Sequence, residues 1–383
     1  MKINFDQKQC VDAARRVVIK LGSNVLSETN GLNTKLIRSI SRQICRLTGG
    51  GTEVILVSSG AMALGVKKVG LSRRPDEIPK RQAVSAVGQA GLVLEYEKAF
   101  ARYRKKTAQV LLTAEDLSNR KRYLNARNTI YTLLSWGIIP IINENDTVSV
   151  EEIKFGDNDN LAALISILME ADLLINLTDI DGLYTKDPRI HSDARLISSV
   201  SSITKRIKKT AGDIPGTLGT GGMSSKIKAA EKVTSAGIPM IIAKGTHPEI
   251  LTLLFLGEAH GTVFIPKKEK LAGRKCWIAF SLKPKGTLYI DDGAADAVLE
   301  KGKSLLPSGI LKVEGKFDVG APVRFKTSGD QTLGTGLVNY SSADIMKILG
   351  LKSSQIEQQL GHKPYDEVIH RDNLAITKEC ALE

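Results

Sequence analysis

Lys20, Gly22 and Ser23 stand at the end of an apolar run, VVIKLGSN, where a primary ammonium sits beside backbone free enough to approach an anion closely. That pairing suits phosphoryl oxygens, since a glycine lets N–H groups reach the anion and a lysine adds a compact charge. A second such place is GTGGMSSK, residues 219–226, where glycines lead into a helix predicted from near Ser224. An anion resting at that N-terminus would lie within reach of Lys226. A third, Ser58, Ser59 and Gly60, opens another helix whose first N–H groups lack an intrahelical partner. Between them lies NENDTVSVEEIKFGDNDN, residues 143–160, a dense run of carboxylates and asparagines. Each feature alone is also an ordinary strand end, helix cap or solvated hairpin. The spacing matches neither the G-x-x-x-x-G-K-[ST] phosphate loop nor G-x-G-x-x-G, so a nucleotide site here belongs to another architecture.

The elements that must position these residues follow from hydrophobic patterning. Buried strands are expected at RVVIKL (16–21), EVILVS (53–58), AQVLLT (108–113), IIPIIN (138–143), DLLINL (172–177) and IPMIIA (238–243), with helical patterns such as 36–47, 123–136 and 161–169 between them. Leu161, Leu164, Ile165 and Leu168 fall at i, i+3, i+4 and i+7, which is one face of a helix. This alternation predicts an α/β fold, a mainly parallel sheet covered by helices on both faces, with ligands beyond the carboxyl ends of the strands. After about Lys267 the texture changes to short β runs broken by Gly, Pro, Asp and Ser, as in a small, mostly β barrel with one or two helices. The basic segment PKKEKLAGRK (266–275) is the expected linker, dividing the chain into 1–267 and 268–383.

A chain of 383 residues with 42% hydrophobic content can bury two or three cores. No apolar run approaches the ~18 residues of a membrane span, and the first residues lack the apolar stretch of a signal peptide, so the cytoplasm is the expected compartment. Cys10, Cys45, Cys276 and Cys380 lie far apart with no C-x-x-C, and the five histidines carry no ligand spacing, so no protein-held metal site or disulfide framework is expected. The net charge is +13, yet from Leu271 onward 15 Lys and Arg nearly balance 14 Asp and Glu. The basicity therefore belongs to the N-terminal part, where it can attract nucleic acid or, equally, anionic small molecules.

The ordered set KLGSN, SSGA, NENDTV, GDNDNLAA, TDIDGLYTKDPR and GTGGMSSK resembles the amino acid kinase family and, within it, the glutamate 5-kinases. The tail resembles the PUA domain that many bacterial members carry. The resemblance implies a three-layer αβα kinase unit that takes L-glutamate and MgATP and moves the γ-phosphoryl group to the side-chain carboxylate, the first step of proline biosynthesis. Lys20 and Lys226 would contact the transferring oxygens, with Asp159 between them fixing their orientation. Thr178, Asp179 and the loop residues Thr220, Gly221, Gly222, Met223, Ser224, Ser225 and Lys226 would hold the nucleotide, together with Lys20. Ser59, Asp146, Asp157 and Asn158 would hold glutamate, the acidic residues facing its ammonium.

A carboxylate nucleophile is already ionised near pH 7, so this reaction needs no general base, and catalysis reduces to positioning and charge neutralisation. Mg²⁺ arriving with ATP prefers phosphate oxygens and water, with few protein ligands. The resemblance also implies proline as a feedback inhibitor competing around the glutamate site, and a homodimer or homotetramer. Two rivals differ in testable ways. Kinases of aspartate, acetylglutamate, carbamate or UMP share the glycine loops but are expected to lack NENDTV followed by GDNDN. An RNA-binding or RNA-modifying protein acting through the PUA-like tail would need more positive charge there, so tight RNA binding is not expected.

Overall fold

The computed structural model describes residues 7–28, 31–148, 158–212, 222–266 and 273–377, and the chain divides into two compact units, 1–270 and 271–383. The expected boundary at 267/268 lies outside the described residues.

The strands of the first unit are β1 (Arg16–Leu21), β2 (Ser27–Glu28), β3 (Gly31–Leu32), β4 (Glu53–Ser58), β5 (Thr107–Leu112), β6 (Ile139–Glu144), β7 (Leu173–Thr178), β8 (Ser199–Val200), β9 (Met240–Lys244) and β10 (Thr262–Phe264). Its helices are α1 (Gln7–Asp12), α2 (Ser23–Leu26), α3 (Thr34–Gly49), α4 (Ala61–Val69), α5 (Ile78–Ala101), α6 (Ala114–Ser118), α7 (Arg120–Ser135), α8 (Asn158–Leu168), α9 (Lys205–Gly212), α10 (Met223–Ser235) and α11 (Ile250–Phe255). Among the described residues, eight strands form one sheet in the order β5-β6-β4-β1-β7-β9-β10-β8, and only the β9–β10 pairing is antiparallel. All six strands expected from sequence are present within two residues of their predicted limits. Five of them were legible because a strand covered on both faces reads as an unbroken apolar run; β5, expected to be buried as well, is instead an edge strand in which only Leu112 is buried. The two- and three-residue strands are too short to show any period.

Parallel pairing brings the strand ends to one edge. Lys20 of β1 lies in register with Val57 of β4 and Asn176 of β7, and the next residue, Leu21, with Ser58 and Leu177. The helices that follow those strands therefore start at the same edge. α8 is buried along Leu161–Leu168, and α10 packs against it, so both helix N-termini are held over the sheet by apolar contact. On the other side α4 and α5 cross at glycines. A Cβ on Gly88 would fall 1.8 Å from the Ala61 carbonyl oxygen, and one on Gly65 would fall 1.9 Å from that of Val84. Only glycine permits this approach, and it draws the polar side of α5 toward the start of α4.

The second unit carries β11 (Thr287–Ile290), β12 (Ile310–Glu314), β13 (Pro322–Thr327), β14 (Thr332–Leu337) and β15 (Leu374–Ile376), with α12 (Gly273–Phe280), α13 (Asp292–Leu299), α14 (Ser342–Ile348) and α15 (Ile356–Leu360). Its sheet order is β12-β11-β13-β14-β15 around a core that includes Leu288, Val323, Phe325, Tyr340 and Ile369. The four short helices exceed the one or two expected. Two of them, α13 and α14, begin at Asp291 and Ser341, whose side chains accept from Ala294 N and Asp344 N. These are cap signals hidden in a stretch that composition alone marks as loop.

Candidate active site

At the centre of the sheet edge three charged side chains are almost fully buried: Lys20 is 4% exposed, Lys226 5% and Asp159 0%. Lys20 comes from the end of β1, Asp159 from the first turn of α8 and Lys226 from the first turn of α10. The Lys20 ammonium pairs with Asp159 Oδ1, and Lys226 Nζ donates to Oδ2 at 3.0 Å. Ser225 Oγ adds a bond to Oδ2 at 2.6 Å, and Asn176 Nδ2 donates to Oδ1 at 2.8 Å. Burial by itself would raise the Asp159 carboxyl. The two ammonium groups, with hydrogen bonds from Lys20 and Ser225, outweigh that cost and hold it far below the usual carboxylate range. One anion between two cations leaves one positive charge in excess, which the arrangement can offer to an incoming anion at the open sheet edge.

Thr178 and Asp179 follow β7 on one side of this cluster. Thr178 Oγ1 donates to Asp179 Oδ1 at 2.9 Å, and Asn24 Nδ2 donates to Oδ2 at 3.0 Å. Burial opposes ionisation of Asp179, but these bonds and the Lys226 charge bring its carboxyl below the ordinary value. Gly22, Met223, Ser224 and Gly222 frame the same region: Gly22 N donates to Leu177 O at 3.1 Å, and Gly222 caps α10 with extended backbone. A Cβ on Gly22 would lie 3.5 Å from Lys20 Nζ, an ordinary contact, so the position adjoins that ammonium without requiring a glycine.

On the other side, Asn158 Nδ2 reaches Ser59 Oγ at 2.8 Å, Ser58 O at 3.2 Å and Asn143 Oδ1 at 2.9 Å. Asn143 Nδ2 in turn donates to Gln89 Oε1 at 2.7 Å. Asp146, just past β6, accepts from Ser85 Oγ. Burial raises the Asp146 carboxyl, and the opposing pull of Ser85, Arg74 and Arg81 is not enough to reverse it. Ser58 Oγ shares a 2.8 Å hydrogen bond with Tyr96 OH, whose phenol burial pushes well above its usual value.

Of the residues singled out from sequence, Lys20, Asp159, Lys226 and Ser225 meet directly, Thr178 and Asp179 stand beside them, and Ser59 meets Asn158. Asp146 stands apart with Ser85. Asp157, Thr220 and Gly221 lie outside the described residues. Sequence reading missed Asn176, Ser85, Gln89 and Tyr96, and gave no role to Asn143, the first residue of the NENDTV motif. Asn176 carried a signal, a single carboxamide inside the apolar run DLLINL. Ser85, Gln89 and Tyr96 lie on one helix, α5, and carried none.

Comparison with known proteins bears on the whole chain. Residues 15–244 match the amino acid kinase family and residues 286–360 the PUA domain. The glutamate 5-kinase of Syntrophus aciditrophicus (strain SB) is 50% identical over 376 residues, 98% of each chain. That of Caldanaerobacter subterraneus subsp. tengcongensis is 51% identical over 362 residues, 94% of this chain and 97% of the relative. Carbamate kinase from Giardia lamblia superposes with a TM-score of 0.50 at 16% identity, over 67% of this chain and all of that one, a likeness of fold. Half identity to glutamate 5-kinases over nearly the full length, with a family match that spans the β1 strand of Lys20, the α8 helix of Asp159 and the α10 helix of Lys226, places this chain in the amino acid kinase family.

Proposed function

We propose that the protein phosphorylates the side-chain carboxylate of L-glutamate with MgATP, giving L-glutamyl 5-phosphate, the first step of proline biosynthesis. The observation that carries this reading is the buried Lys20–Asp159–Lys226 cluster, flanked by Thr178 and Asp179 on one side and by the Ser59–Asn158 pair on the other. The two sides suit the two substrates. The β- and γ-phosphates of MgATP lie along the α10 N-terminus, where Gly222 to Lys226 supply N–H groups and charge. The same reading assigns Thr220 and Gly221 to the nucleotide, with Thr178 and Asp179 facing it. Glutamate lies against Ser59, Asp146, Asp157 and Asn158.

The γ-carboxylate is ionised near neutral pH and attacks phosphorus directly, so nothing in the site has to remove a proton. The O–P bond to the carboxylate forms as the bond to the ADP oxygen breaks, and negative charge spreads over the transferring oxygens. Lys20 and Lys226 neutralise that charge from fixed positions, and Asp159 keeps both ammonium groups from turning away. Mg²⁺ comes with the nucleotide as substrate, needing few protein ligands. The same reading carries proline as an inhibitor competing at the glutamate side, assembly as a homo-oligomer through the kinase unit and a cytoplasmic setting. Among the described residues no helix is long and apolar enough to cross a membrane.

A coupled assay of ADP release over a panel of L-glutamate, L-aspartate, N-acetyl-L-glutamate, carbamate and UMP tests the reading. Glutamate is expected to be the preferred acceptor. Faster turnover of any other acceptor would replace it.

A further inference from the structure

We propose that Gln89 selects the acceptor by donating its Nε2 hydrogen to the α-carboxylate of the amino acid whose side chain is phosphorylated. The inference rests on the glutamate kinase reading and adds to it a residue on α5.

The direction of the amide relay is set by a group that cannot turn round. The Ser58 carbonyl is only an acceptor, so the Asn158 group pointing to it at 3.2 Å is the NH2. That same NH2 reaches Asn143 Oδ1, which turns the Asn143 NH2 toward Gln89 Oε1. What remains at the far end is Gln89 Nε2, shielded from solvent and without a hydrogen-bond partner among the described residues. A buried N–H left unpaired is costly, and native proteins keep one where a ligand or an ordered water completes it. The group that completes an N–H is an acceptor, and an ionised carboxylate makes the strongest bond.

The order of the relay says which carboxylate. Asn158 precedes Asp159, the anchor of Lys20 and Lys226, so its end of the relay faces phosphoryl transfer. Gln89 is two amides further away. The γ-carboxylate must meet the lysines, which leaves the α-carbon end of glutamate for Gln89. One turn earlier on α5, at i−4 on the same face, Ser85 holds Asp146. The helix thus holds a carboxylate for the α-ammonium and presents an N–H for the α-carboxylate.

Gln89→Glu keeps the side-chain shape and the acceptor for Asn143 while turning the free donor into an acceptor. Rates of ADP release are measured for L-glutamate and for its α-amide, L-isoglutamine, which keeps the γ-carboxylate but carries NH2 where glutamate has an α-carboxylate oxygen. The wild-type protein prefers glutamate. In Gln89→Glu the ratio of kcat/KM, glutamate over α-amide, is expected to fall by about thirtyfold or more. Gln89→Met, which removes the donor without adding charge and serves if the Glu variant does not fold, lowers the same ratio about tenfold. A ratio does not depend on the amount of active protein, so partial unfolding cannot imitate the result. An unchanged ratio, whatever the absolute rates, would make Gln89 a support for Asn143 alone and overturn the proposal. A wild-type protein inert toward glutamate would overturn the glutamate reading itself, and the wild-type arm distinguishes that failure.

Discussion

Two aspartates near the same sheet edge, Asp159 and Asp146, are both drawn out of water and both have cations nearby, yet their carboxyls move in opposite directions. At Asp159 two ammonium groups bond directly to the carboxylate and override burial. At Asp146 burial wins, because Arg74 and Arg81 act only at a distance and the one hydrogen bond comes from a neutral hydroxyl. Direct charge-assisted bonds decide the ionisation of a buried acid, and nearby charge without contact does not. The difference divides the labour. The phosphoryl end is a directly bonded ion cluster with one positive charge to spare for an incoming anion, whereas the acceptor end keeps a carboxylate that, among the described residues, is bonded through a neutral hydroxyl and can take an ammonium.

The sharpest way to break the comparison is at Asp159. Asp159→Asn leaves Lys20 and Lys226 buried without their anion, and kcat is expected to fall about a thousandfold, because both lysines lose their alignment in the transition state. Breaking a buried ion pair by removing one partner should also cost about 3–5 kcal/mol of stability, read from urea denaturation. The folded carboxyl lies below its ordinary 3.8, so its stabilisation is complete above that value and is lost only as pH falls through the depressed value. Wild-type stability between about pH 5 and 8 should therefore not depend on this group. A variant as active and as stable as wild type would remove the cluster from both roles.

Lys226→Ala should be somewhat milder. A loss of about a hundredfold in kcat, roughly 3 kcal/mol, is expected with little change in the glutamate KM, since the lysine acts as charge develops on the phosphoryl oxygens. If steady-state kinetics instead show a raised KM at constant kcat, Lys226 binds substrate and transition state alike.

At the acceptor end Asp146→Asn is expected to raise the glutamate KM about thirtyfold, with the ATP KM unchanged, because one charge-assisted contact to the ammonium is lost. Its raised carboxyl also sets a pH dependence of opposite sign to Asp159. For an acid with a raised folded value, the cost of burying the charge is full above that value and vanishes as pH falls below the ordinary 3.8. Acidification thus neutralises Asp146 before an exposed carboxylate would titrate, so the wild-type glutamate KM should begin to climb, as pH falls, at a higher pH than titration of an exposed carboxylate would give. The Asn variant should lack that component of the rise, and identical profiles would assign it to glutamate or to other groups.

The smallest effect is expected from the second unit. A chain ending at Lys268 retains every residue of the ion cluster and the amide relay, so its kcat on glutamate should stay within about twofold of the full-length value. A folded but inactive truncation would mean that the second unit completes the site.

The sequence by itself determined the buried strands, the lysines and glycines at their ends and the ordered motifs that mark the family. All of these are local: an apolar run reports a two-sided strand wherever it pairs, and Lys20, Asp159 and Lys226 were recognisable one motif at a time. Tertiary structure alone decided what surrounds the acceptor. Ser85 and Gln89 meet Asp146 and Asn143 across separations of 61 and 54 residues, and no local period encodes such a meeting. Nor did α5 advertise itself as an amphipathic helix. Where it crosses α4, Gly88 and Gly91 interrupt the buried line of Val84, Leu92, Tyr96 and Phe100, because the two backbones approach too closely there for larger side chains. Glycines at a close crossing weaken the apolar stripe that makes helices legible, and the polar residues α5 delivers to the site acquire meaning only once the chain has folded around them.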